Sequence, residues 1–208
     1  RVHIWRARTG EPLLSLAVEE PRAEPLAAAG SAGGINRRRV AQWVEQLQWS
    51  HSGRHLAAAA GVHVAVADTS IGAVVERGQA KGTVYGLHFG SEAGVDASSP
   101  TAANGSFGLA FAAYGGVGWL AASPHARAPF EIGAAAVLSV AVSPDGDSLA
   151  AGCLDRRLRI FDLGGGARGD RDWIGFEGGV SALAWSSSGE WLAASGGRTL
   201  LALRRGLS

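Results

Sequence analysis

Three stretches of this chain repeat one pattern, and that repeat constrains the fold more than any other feature. They run from Val44 to Ala58, from Val137 to Ala151 and from Val180 to Ala194. Each opens with an apolar run, turns at Ser-x-x-Gly and resumes with Leu-Ala-Ala. The turn glycines stand at 53, 146 and 189, so the unit is about 43 residues and the longer gap holds two units. The extra unit begins at Val84, Leu87 and Phe89 and resumes at Phe107, Leu109 and Phe111. A repeat of this length is one supersecondary unit that buries its apolar faces only by stacking on its neighbours.

The internal plan is clearest from Val137 to Leu163. Val137, Val140 and Val142 form a first strand, which Ser143-Pro144-Asp145-Gly146 stops. Proline fixes φ and glycine supplies positive φ, so that tetrad is a turn. Leu149–Gly152 is a second short apolar run, and Leu154–Arg157 turns into the alternating strand Leu158–Asp162. Equivalent closing strands are expected at Arg1–Arg6, Val62–Ala67, Val117–Leu120 and Thr199–Leu203. A fourth, outer strand is expected at Pro12–Ala17, Ala73–Arg77, Pro129–Ile132 and Trp173–Phe176.

Four short strands every 43 or so residues resemble the WD40 repeat, the blade of a β-propeller. Ser143-Pro144-Asp145-Gly146, Asp155 and Ile160-Phe161-Asp162 carry the resemblance, the last where the family ends in Trp-Asp. Val2-His3-Ile4-Trp5 matches the same closing strand, with Arg6 in place of its Asp. The resemblance implies an all-β propeller arc of four-stranded antiparallel blades, three full and two partial. The boundaries expected are a blade end over 1–17, an Ala/Arg-rich loop over 18–43 and a blade over 44–78. A blade over 83–132 with a low-complexity insertion at 91–106 follows, then a blade over 137–176 and an incomplete blade over 180–208. Seventeen strands are too many for a closed four-blade ring, which favours five consecutive blades of a ring of about seven. With no Met and a start in mid-strand, the sequence reads as a piece of a longer chain.

The chain also departs from the family. Where many WD40 blades carry Gly-His, this one has Ala134-Ala135-Ala136 and Glu177-Gly178-Gly179, and Ala151 and Ala194 occupy the Ser/Thr position. These blades are therefore expected to hold together by packing rather than through buried polar ties. Asp155 is expected to cap its own turn or stay partly wet, because a buried lone carboxylate is costly.

Composition narrows the function. A net charge of +1 argues against a strong nucleic-acid or membrane field. Hydrophobic residues at 47% suffice for a core. The single Cys153 excludes an internal disulfide framework, suits a reducing, cytoplasmic setting and reads as a small buried hydrophobe. Apolar runs such as Leu56–Ala67 fall short of the 18 or so residues that span a bilayer.

No motif demands chemistry, so no catalytic, cofactor or metal residue is assigned. His51 and His55 flank the Ser52-Gly53 turn and are expected on solvated surface. Ser186–Gly189 aligns with a turn, and Gly164–Gly166 lacks the context of a phosphate loop. Trp49, Trp119, Trp185 and Trp191 are expected in the core. The best binding candidate is a basic face made by Arg37, Arg38, Arg39, Lys81, Arg156, Arg157 and Arg198, which suits an acidic partner. The function expected is a non-enzymatic scaffold for protein–protein interaction. The alternatives are an accessory propeller of a larger enzyme whose active site lies outside this chain and, more weakly, nucleic-acid binding through the Arg-rich face.

Overall fold

The structure is a computed structural model and describes residues 1–18, 43–90, 108–121, 130–163 and 171–205. Most of the Ala/Arg-rich stretch with Arg37–Arg39, the 91–106 insertion and Gly164–Gly166 lie outside the described residues. Among those described, every regular element is a strand.

The first blade contributes β1 (Val2–Trp5) and β2 (Pro12–Leu16), paired antiparallel. The second is complete: β3 (Val44–Trp49), β4 (His55–Ala60), β5 (His63–Asp68) and β6 (Ala73–Gln79) form one four-stranded sheet in sequence order. The last comprises β13 (Val180–Trp185), β14 (Trp191–Gly196) and β15 (Thr199–Arg204).

Between them, two expected pairs of strands are each continuous. They are β8 (Gly108–Ala121) and β9 (Phe130–Val142), flanked by β7 (Val84–Phe89), β10 (Ser148–Cys153), β11 (Arg157–Asp162) and β12 (Arg171–Ile174). β8 doubles back at Tyr114-Gly115, where Gly115 has φ +87°. A straight strand would separate Gly108 from Trp119 by roughly 36 Å, yet a Cβ on Gly108 would lie 2.7 Å from the Trp119 ring. The first half of β8 pairs with β7 and its second half with the start of β9. The end of β9 pairs with β10. β9 thus passes from the outer edge of one blade to the inner edge of the next, so one six-stranded sheet spans two blades. Ala134–Ala136 holds no turn-forming residue that would interrupt it.

The innermost strands β3, β7, β9 and β13 lie side by side in chain order. The core fills the gaps between blades, and the strand alternation assigns each side chain to a gap. In β4, Leu56, Ala58 and Ala60 face the first blade while Ala57 and Ala59 face the third. In β8, Leu109, Phe111 and Ala113 face back while Ala110 and Ala112 face forward. In β10, Leu149, Ala151 and Cys153 face back and Ala150 faces forward. Strands covered on both faces read as unbroken apolar runs, which explains the Leu-Ala-Ala signature.

Three expectations need correction. Trp119 and Trp185 pack against core clusters, but Trp49 and Trp191 are exposed. Trp49 and Leu47 face the first blade, which shows only two strands among the described residues. Leu47 is 56% exposed whereas its repeat equivalent Leu87 is 8%. His55 is buried, not solvated, because it sits opposite Asp68 in the β4–β5 register. Arg54 holds that carboxylate with Nε and Nη2 at 2.9 and 2.8 Å, and Ser70 donates to it from both N–H and hydroxyl. Burial pushes the Asp68 carboxyl up, but the bonds from Arg54 and Ser70 outweigh it and hold the pKa far below the usual range.

Nor do the blades rely on packing alone. The buried Ser139 hydroxyl donates to Val180 O at 2.9 Å, Trp185 Nε1 donates to Ala141 O at 3.2 Å, and Val142 N–H donates to His88 Nδ1 at 3.2 Å. Each crosses a blade boundary. Each of these ties joins a side chain of one blade to a backbone carbonyl or amide of the next.

Candidate partner-binding face

Antiparallel order puts the connections of every blade alternately on two faces of the arc. One face carries the turns between second and third strands, at 61–62, 114–116, 154–156 and 197–198. It also carries the connections between blades, at 80–83 and 175–179. β2 ends and β3 begins there too. Lys81, Arg156 and Arg198 are exposed in these segments, and exposed Arg157 opens β11 beside them. Arg37–Arg39 fall between β2 and β3 in sequence, outside the described residues.

Two of these cations have carboxylate partners. Arg157 donates to Asp172 at 3.3 Å. Asp155 accepts from both terminal nitrogens of Arg159, at 3.2 and 2.8 Å, and from the Arg157 backbone N–H at 3.2 Å. The Arg159 bonds are the main reason the Asp155 carboxyl lies below its usual range. Asp155 therefore both caps its own turn and remains partly wet. Arg198 donates to Glu177 at 3.1 Å. Arg157 and Arg198 are thus locally neutralised.

Arg156 has the more unusual position. Its φ is +65°, the one positive value at a non-glycine residue among those described. The second and fifth blades close the same hairpin with two-residue loops that open on a positive-φ glycine, Gly61 at +58° and Gly197 at +63°, whereas Arg156 ends the three-residue loop Leu154–Arg156. A left-handed non-glycine residue costs roughly 1–2 kcal/mol. The turn still closes, with Arg156 N–H donating to Cys153 O at 3.3 Å. A left-handed residue in third place is the usual close of a three-residue hairpin loop.

Exposed apolar groups adjoin it. Tyr114 is 52% and Leu154 58% exposed, and both flank the buried Ala136. Tyr114 is the strand partner of Ala136, and Leu154 N–H donates to Ala136 O at 2.8 Å. A Cβ on Gly82 would lie 2.7 Å from Tyr114 Cβ, which brings the Lys81 loop alongside. Tyr85, 40% exposed, starts the neighbouring inner strand at the same end. Sequence reading missed these three side chains, since nothing in a repeat pattern marks which apolar residues stay wet.

Among the described residues no group of three or more His, Cys, Asp or Glu side chains could hold a metal ion. Cys153 is buried, and burial raises its thiol pKa, so the reactive thiolate is disfavoured.

Residues 130–162 and 171–201 match the family described as WD domain, G-beta repeat. Among solved structures, a chain in a crystal structure of a mitotic checkpoint complex is similar. Its TM-score is 0.65 at 18% identity, over 94% of this chain and 52% of that chain. This chain therefore spans about half the length of that one, and the likeness is one of fold. No curated protein matches.

Proposed function

Because the chain carries WD40 repeats on a β-propeller arc, we propose that it is a non-enzymatic scaffold that holds a protein partner on the face of Lys81, Arg156 and Arg198. WD40 repeats belong to a kind of domain that serves protein interaction, and rigid blades suit it. Their stacked sheets fix the loops, so a partner finds a surface already ordered, at little entropic cost. The observation that carries the reading is the exposure of Tyr114, Leu154 and Arg156 together on one loop face. Aromatic and arginine side chains dominate binding energy at protein interfaces.

Charge reversal tests this. Lys81→Glu, Arg156→Glu and Arg198→Glu combined should abolish capture of partners that the unaltered chain retains from lysate, with the thermal midpoint unchanged. A second variant, Arg37, Arg38 and Arg39 to Glu, reports whether that cluster shares the surface. Capture unaffected by either set would remove the face from consideration.

A further inference from the structure

We draw no further inference here: the strongest candidate, the exposed apolar face that Leu47 and Trp49 of β3 turn toward the two-stranded first blade, carries no proposal, because nothing among the described residues shows what covers it.

Discussion

Gly152→Ala is the substitution that best separates close packing from generic propensity. Gly152 sits in the middle of the sheet opposite Ser139, and the Ser139 hydroxyl donates to Val180 O across the blade boundary at 2.9 Å. A Cβ built on Gly152 collides with Ser139 Oγ and with Val180 O, and it lies 2.8 Å from Val180 Cγ1. Two of those neighbours are buried and one is backbone, so none moves easily. Overpacking of this kind costs roughly 1–3 kcal/mol, and breaking the Ser139 bond adds about 1 kcal/mol. The expected loss is about 3 kcal/mol, a fall of roughly 6–12 °C in thermal midpoint for a chain of this size. Differential scanning calorimetry reads it directly. Ser139→Ala alone should cost about 1–2 kcal/mol through the orphaned Val180 carbonyl. The double variant should cost less than the sum, because removing Oγ clears one of the collisions. A Gly152→Ala midpoint within 1 °C of the parent, or strictly additive losses, would refute the geometry of this boundary.

Acidification should act at another boundary. Burial lowers the His88 pKa, against a smaller raising effect from the Phe89 backbone, and its Nδ1 accepts the Val142 N–H. The unfolded chain takes up the proton near pH 6.5 and the folded one resists it, so stability is full above about 6.5 and declines as pH falls below it. Urea midpoints taken at pH 7.5 and 5.5 should show that decline, and His88→Gln should flatten it; an unchanged slope would remove His88 as the cause. Leu158 is fully buried between the last two blades. Leu158→Ala should cost about 2–5 kcal/mol by chemical denaturation, and a loss under 1 kcal/mol would mean that the blades separate there at little cost.

Much of the architecture was legible because the physics behind it is local. Ser-x-x-Gly turns, strand alternation and doubly covered Leu-Ala-Ala runs all act within a few residues, and the strands observed at Val44–Trp49, Arg157–Asp162 and Val180–Trp185 coincide with those expected. The binding candidates were legible only as residue types. The sequence reading put Lys81, Arg156, Arg157 and Arg198 in loops of one face, because the order of strands alone settles which loops share a side. It could not show that Asp172 and Glu177 would occupy two of them, because those partners come from other strands.

The 43-residue repeat determined by itself that the chain makes blades, where their turns fall and which side chains alternate from one gap to the next. Tertiary structure alone decided which repeats are covered: Leu47 and Leu87 hold the same place in their units, and only the neighbouring sheet makes one wet and the other dry. It also decided that His55 is buried, that Ser139 bridges two blades and that Asp172 and Glu177 hold Arg157 and Arg198. Burial and pairing depend on groups far apart in the chain, and no local pattern encodes them.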